Sequence, residues 1–412
     1  MNRRQLITTA TASLLGSTLP TRMARASSAS DRKFLFIFNG GGWDPFCTFV
    51  PSFGSPHIEM EPEAEPAFYG DIPVVEHPSR PSFSTFMAHF SDRLHVINGI
   101  EVRSVTHQRC RQLMMTNKAG AKNIEDWPTL IAANSPVATA LPHVVFRGPA
   151  YSSQLSDSVV RVGINGQLND LLIPHTELQQ TQSLTDAFLH AELDRVQHRE
   201  ATASPLIERY QHSLAQQGVL GQSGLTTELG GIMEGCVRDI RHDAANAFSL
   251  FEQGLSRCAM MSYLGVCDLS WDTHADHQMQ QESTNDLFWY LTEIIDDLDG
   301  RVSLSGRPLR EEVILVVMSE MGRSPRFNVF GGRDHWTYNS AMLFGDAIKG
   351  GRVSGGLNEH AIGMPIDLSS GQISANGIPL LPGHLGSTLL TLADIDPLPL
   401  VGEEYPAVHA AF

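Results

Sequence analysis

Cysteine is scarce in this sequence. The five present among 412 residues, Cys47, Cys110, Cys236, Cys258 and Cys267, form no CxxC pair and are odd in number. Neither a zinc ribbon nor a complete disulfide framework is indicated, and most of them read as small core residues. Positive charge is also short: 29 Lys and Arg against 45 Asp and Glu leave a formal charge of −16, so nucleic acid and anionic lipid are repelled. Phosphate-binding glycine loops are missing in their usual forms. The one glycine triplet, Gly40 to Gly42, fits neither GxGxxG nor GxxxxGK[ST], and Pro45 and Pro51 follow it without a helical pattern, which argues against nucleotide binding. No apolar run is long enough to span a bilayer, so no transmembrane segment is expected once a leader is removed. What the chain does have, 42% hydrophobic and 18% charged residues, suffices to bury a core without crosslinks or metals needed merely to fold.

The first 26 residues differ from the rest. Arg3 and Arg4 precede a weakly apolar stretch diluted by Thr, Ser and Ala, the pattern of a signal peptide rather than a fold element. The arginine pair followed by Leu6 resembles a twin-arginine leader, with Asn2 where Ser or Thr is usual and Ile7 where Lys is common. Arg22 and Arg25, just ahead of a cleavage site after Ala26, disfavour the route that secretes unfolded chains. The expectation is a leader at 1–26 read by the twin-arginine export machinery, a bacterial periplasmic or secreted location, and a single domain over 27–412. Cleavage removes four arginines and no acid, taking the charge from −16 to −20.

After the leader, "KFLFIFN" (33–39) is a short apolar run closed by glycines, as in a strand buried on both faces. "RLHVINGI", "LPHVVFRG", "AMMSYLGVCDLS" and "EEVILVVMSE" repeat the pattern, and helical spacing fills about 184–217, about 225–255 and "NDLFWYLTEIIDDLDG". In the last, Leu287, Leu291, Ile294 and Leu298 share a face and Gly300 supplies a stop. Strands alternating with helices predict an α/β fold with a mainly parallel sheet covered on both faces, whose ligands sit beyond the carboxyl ends of the strands. The stretch 51–81, rich in Pro, Glu and His, reads as an irregular surface insertion.

Three of those strand ends are unusually polar. "NGGGWDPF" brings Asp44, "DLSWDTHADH" brings Asp272 and His274, and "SEMGRSPRFN" brings Glu320 and Arg323, with Asp334 and His335 soon after in "GGRDHW". Carboxylates and imidazoles converging from separate strand ends suit a divalent cation. Each also has a plainer reading: a turn or cap aspartate for Asp44, a helix cap and a hydrogen-bonded histidine for Asp272 and His274, a polar loop for Asp334 and His335. "RSVTHQRC" adds Ser104 or Thr106 as a nucleophile, with His107 as base or ligand; Cys110 is a thiol alternative, its plainer reading a core residue of a basic helix.

"FLFIFNGGGWDPFCTFVP", "WDTHADHQ", "ILVVMSEMGRSPRFN" and "GGRDHWTYNSAMLFGDAIKGGRVSG", in this order, resemble the DUF1501 proteins, exported bacterial proteins placed by fold near the sulfatases and alkaline phosphatases. The resemblance implies an alkaline-phosphatase-like α/β/α sandwich and a divalent metal ion (Zn, Mn, Mg or Ca). Asp44, Asp272, His274, Glu320, Asp334 and His335 match the family's acidic and histidine positions, Thr106 and His107 fall where its members commonly carry Ser-His, and Arg323 matches its Ser-Glu-x-Gly-Arg. The implied activity is hydrolysis of a phosphate or sulfate ester, a small anionic substrate whose charge Arg323 is expected to bind. The chain departs from the pattern at Trp43, at Thr106, and at Glu320-Met321, where metallophosphatases of this fold carry adjacent Asp-His. A thioether cannot replace an imidazole on a hard cation, so the alternative is a non-catalytic cell-envelope binding protein that retains the fold.

Overall fold

A computed structural model of the chain describes residues 32–120, 122–162, 220 and 239–412; the leader and the helical stretch expected at 184–217 lie outside the described residues. In chain order the elements are β1 (Lys33–Asn39), β2 (Glu65–Tyr69), β3 (Ile72–Glu76), α1 (Pro81–Phe90), β4 (Leu94–Glu101), α2 (His107–Thr116), α3 (Trp127–Ala133), β5 (His143–Val145), β6 (Val159–Arg161), α4 (Ile240–Glu252), β7 (Cys258–Tyr263) and α5 (His277–Asp299). They continue with β8 (Val313–Ser319), β9 (Gly322–Phe327), β10 (Arg333–Trp336), β11 (Tyr338–Phe344), β12 (Arg352–Gly355), α6 (Pro382–Leu392) and α7 (Leu398–Val401).

From Phe34 onward β1 is buried throughout, and its side chains alternate between two separate cores. Leu35 and Ile37 join one, while Phe34, Phe36 and Phe38 join the other, the two-residue period of a strand with no solvent face. β8 divides in the same way: Val313, Leu315 and Val317 face one core and Ile314, Val316 and Met318 the other. Helices α1, α4 and α5 close the first core, and α2, α3 and α6 close the second. The result is the expected α/β fold, a sheet between two helical layers. The described residues form an eight-stranded sheet of order β12-β4-β11-β8-β1-β7-β5-β6. It is parallel except at β11, which runs antiparallel to both β4 and β8.

Parallel pairing fixes where the site is. Asn39 at the end of β1 lies opposite both Tyr263 of β7 and Ser319 of β8, so the loops after these three strands leave the sheet side by side. A small antiparallel hairpin, β9 and β10, stands on that edge with His335 opposite Arg323. The stretch read from sequence as an irregular insertion carries a second hairpin, β2 and β3, whose Ile72, Val74 and Val75 are buried. Of the helix read at about 225–255, α4 holds the described part. Helix α5 buries Leu287, Leu291, Ile294 and Leu298 as their spacing indicates and ends at Gly300. Its N-cap is Asp276, whose carboxylate accepts from the amide of Gln278 at 2.9 Å, and this leaves Asp272 free of capping. Among the described residues no helix is long and apolar enough to cross a membrane.

Candidate metal centre

The glycine triplet after β1 is where two loops touch. Gly41 has φ +125°, and a Cβ there would lie 2.6 Å from the backbone nitrogens of both Trp271 and Asp272. Only glycine accepts that approach. The bare backbone is also used as a ligand: the Gly41 amide donates to Glu320 Oε1 at 2.8 Å, and the carbonyls of Gly41 and Gly42 accept from Arg323. Arg323 is wholly buried, and its remaining donors go to the carbonyls of Trp271 at 2.7 Å and Arg333 at 3.1 Å and to Asp272 Oδ1 at 2.9 Å. Its guanidinium therefore fastens the β1 loop, the Asp272 loop and the hairpin together, and does not face outward as a substrate ligand.

Asp272 is the centre of the arrangement. Its Oδ1 lies 3.0 Å from His274 Nε2 and 3.1 Å from His335 Nε2, and its Oδ2 lies 3.1 Å from His107 Nε2. His107 Nδ1 reaches Glu320 Oε1 at 3.1 Å. With a carboxylate at each nitrogen, His107 is an imidazolium. The bonds to Asp272 and Glu320 push its pKa up to about 9. Burial acts to raise the Asp272 carboxyl, but bonds from His107, His335 and Arg323 outweigh it and hold the group far below the usual carboxylate range. Glu320, the buried floor of the site, is lowered against its own desolvation by His107, its backbone bonds and the nearby Arg111, 3.5 Å away.

The other two histidines are set differently. His335 Nδ1 faces the carbonyl of Val105 at 2.7 Å, and His274 Nδ1 faces Asp334 Oδ1 at 3.0 Å. Both partners can only accept, so each Nδ1 is a donor, and each Nε2 is turned inward to Asp272 Oδ1, where it serves as a donor to that carboxylate or, without its proton, as a ligand for a cation. Those two Nε2 atoms are 2.9 Å apart. Two imidazole nitrogens at that distance crowd one another, whether both are protonated or both bare, unless they share a proton or a cation lies against both. With Asp272 Oδ1 they form a triangle with edges of 2.9, 3.0 and 3.1 Å. Ligands about 2.0–2.1 Å from one small divalent ion are separated by roughly 3.0–3.4 Å. Nitrogen and carboxylate donors, their outer nitrogens fixed by acceptors, are the chemistry such an ion requires, so the residues present fit it. His107, Asp272 and His335 also bring ring and carboxylate atoms within 4.8 Å of one another, but with His107 holding its proton the ligand set is Asp272, His274 and His335.

Six of the residues singled out from sequence thus meet here: His107, Asp272, His274, Glu320, Asp334 and His335. Asp44 does not. It is buried one layer away, where its Oδ1 accepts from the Phe46 amide at 2.9 Å and its Oδ2 sits 3.0 Å from Arg333 Nε. Its plainer reading as a turn aspartate holds, and an arginine from the hairpin supplies its positive partner. Asp44, Cys47 and His277 form a second group within metal-binding distance. There, however, burial and the neighbouring Asp44 and Glu61 keep the Cys47 thiol protonated, while Arg80 and His277 pair with buried Glu61 at 2.8 and 2.7 Å; this is an ion-pair network.

Thr106 is exposed, its hydroxyl 3.5 Å from Ser104 Oγ, and among the described residues it makes no bond to the Asp272 cluster. Cys110 is fully buried and its thiol is pushed up by desolvation, the setting of a core residue; Cys47 and Cys258 are likewise buried and free, while Cys267 is disulfide-bonded. Met321 also faces the core, so it lies off the cluster while histidines from other loops face Asp272. Arg111 and Asn328, which bonds Asp334 Oδ1 at 2.9 Å, were not legible as site residues. The one signal for Arg111 is its position four residues after His107, on the same face of α2.

The model of a family described as "Protein of unknown function (DUF1501)" matches residues 31–367. No curated protein matches the chain. Among solved structures, a protein in the alkaline phosphatase superfamily from Vibrio parahaemolyticus is 10% identical, with 98% of this chain and 78% of that one covered and a TM-score of 0.42. The lipoteichoic acid synthase LtaP from Listeria monocytogenes is 9% identical over 98% and 81% of the two chains, with a TM-score of 0.39. The PsFucS1 sulfatase from Pseudoalteromonas sp. is 10% identical over 100% and 80%, with a TM-score of 0.36. These values describe a distant likeness.

Proposed function

The chain belongs to the DUF1501 family, and on the chemistry of its strand-end cluster we propose that it is an exported, metal-dependent hydrolase of phosphate or sulfate esters with an alkaline-phosphatase-like architecture. The observation that carries this reading is the pair of inward-facing Nε2 atoms of His274 and His335, 2.9 Å apart beside Asp272. These three residues would hold a divalent ion, with Asp334 and the Val105 carbonyl fixing the rings from behind. When bound, the ion polarises an ester oxygen and lowers the pKa of a hydroxyl or water beside it.

The chain's own groups supply the rest. Thr106, adjacent to His107, is the hydroxyl we assign as nucleophile: its oxygen would bond to phosphorus or sulfur as its proton passes to solvent, while the ester oxygen leaves with the proton that His107 holds between Asp272 and Glu320, and water would then release the acid. Arg323 acts as a positioning residue: it presents Asp272 and cannot leave its carbonyl partners without unlocking the glycine loop.

A second reading, a cell-envelope binding protein without turnover, is favoured by the absence of a bond between Thr106 and the cluster among the described residues. Elemental analysis of leader-less protein purified without chelator, paired with assays on aryl phosphate and aryl sulfate esters, separates the two. The hydrolase predicts near-stoichiometric Zn, Mn, Mg or Ca that is lost, together with activity, in an Asp272→Ala/His274→Ala variant. Metal without turnover supports the binding protein, and no metal refutes the ion. Fractionation of cells expressing the full chain tests the export.

A further inference from the structure

A cavity of about 470 Å³ opens beyond the carboxyl ends of β1, β7 and β5. Arg111, Arg147 and Arg161 line it together with Tyr151, Ser262 and Gly40, and none of its eleven lining residues is acidic. In a chain with 45 acids and 29 basic residues, three guanidiniums in one cleft are a local inversion of charge, and such a cleft concentrates anions.

Among the described residues the arginines are incompletely neutralised. Arg147 pairs with Asp268 at 2.7 Å. Arg111 is 3.5 Å from Glu320, whose oxygen already serves His107 and the Gly41 amide. Arg161 rests on the neutral carbonyls of Gly148 and Ala150 at 3.4 and 3.3 Å. Guanidinium groups in this state suit the paired oxygens of sulfate, phosphate or carboxylate. Burial pushes the Tyr151 phenol up, so it remains a hydrogen-bond donor to such a group. The wall is also held open by backbone: Gly148 has φ +117°, and a Cβ there would press within 2.6 Å of Ser262 Oγ, on the cavity lining.

Arg111 belongs to both places, touching Glu320 of the metal centre and lining the cavity. We propose that this arginine cleft binds a second anionic group of the same molecule whose ester lies at the Asp272 cluster, so that the substrate class is polyanionic, carrying a sulfate, phosphate or carboxylate beside the scissile ester. The bridging part of this inference rests on the hydrolase reading; the anion site itself does not.

Calorimetric titration tests it with matched probes: fructose 1,6-bisphosphate, fructose 6-phosphate and inorganic phosphate, on leader-less wild type, Arg161→Ala, Arg161→Lys and the Asp272→Ala/His274→Ala variant. A charge-assisted hydrogen bond made by the second phosphate of the bisphosphate predicts at least about tenfold tighter binding than the monophosphate. Arg161→Ala should erase that ratio and Arg161→Lys should keep part of it, with thermal midpoints unchanged. Equal affinity for the two sugars, or a ratio that survives Arg161→Ala, overturns the proposal. Inorganic phosphate that binds in an Arg161-dependent way without any bisphosphate advantage identifies a free-ion site and also overturns the bridging substrate. The failure of the hydrolase reading is seen separately: Arg161-dependent phosphate binding then persists in wild type and in the double variant alike, and neither contains metal.

Discussion

Replacing Gly41 by alanine should damage stability and site together, because one added carbon meets backbone that cannot rotate away. At φ +125° the new Cβ would stand 2.6 Å from the nitrogens of Trp271 and Asp272 and against Ser270 Oγ. Forcing an L-residue into that conformation costs about 1–3 kcal/mol, and the overlap adds a further 1–3 kcal/mol or so typical of overpacking. For a chain of 412 residues a total of about 2–6 kcal/mol lowers the thermal midpoint by about 2–7 °C. Relief of the overlap moves the loop carrying Asp272 by a distance on the order of 1 Å, enough to lower catalysis by about a hundredfold. Gly54, exposed and with nothing within 4 Å of its ideal Cβ, is the control, and Gly54→Ala should stay within about 0.5 kcal/mol of wild type. Scanning calorimetry and metal analysis of the two variants decide the matter. A Gly41→Ala protein with wild-type midpoint and metal content would refute the account of why the loop is glycine.

Arg323→Ala leaves the carbonyls of Gly41, Gly42 and Trp271 and the partly exposed Asp272 carboxylate without their shared donor; leaving such groups unsatisfied costs about 1–3 kcal/mol. A shifted denaturation midpoint with reduced metal content is expected, and a variant that loses only substrate affinity would show that Arg323 faces the ligand after all. Acid stability tests a different residue. Burial, helped by Arg161, depresses the His143 imidazole to about 3. Its folded pKa lies below the unfolded value, so its contribution is fully present above about pH 6.5 and is lost as pH falls, by about 2 kcal/mol between pH 7 and 5. The gap in stability between wild type and His143→Asn should narrow by that amount over the interval, as read from denaturant midpoints, and a gap independent of pH would contradict it.

β1, β4, β5, β7 and β8 were readable from sequence because each holds a brief run of apolar residues interrupted by glycine or a polar cluster, a pattern that parallel burial imposes locally, whereas the short edge strands β6 and β12 and the two hairpins carry no such run. β11 was not readable either, since "YNSAMLF" sits inside a polar motif and its antiparallel pairing with β4 and β8 depends on distant partners. The same division applies to the site. Asp272, His274, Asp334 and His335 lie in dense polar motifs and are found together. Asp44 carries the same signal, yet Arg333, from a hairpin late in the chain, claims its carboxylate. Nothing local distinguishes a guanidinium aimed at carbonyls from one aimed at solvent, so the setting of Arg323 could be learned only from the folded chain. The Met321 position illustrates the converse: a missing ligand at one sequence position says little when His274 and His335, from other loops, face the same carboxylate.

The bonds that define the strand-end cluster join residues far apart along the chain: Gly41 to Glu320 across 279 residues and His107 to Glu320 across 213. A polypeptide emerging from the ribosome therefore possesses no part of this centre in working form until the hairpin bearing His335 has been made. Uptake of an ion is in that case an epilogue to folding rather than its trigger, unlike small zinc domains whose collapse the metal drives. The two cores already hold the sheet, so a chelator should strip the centre while the layers stay assembled.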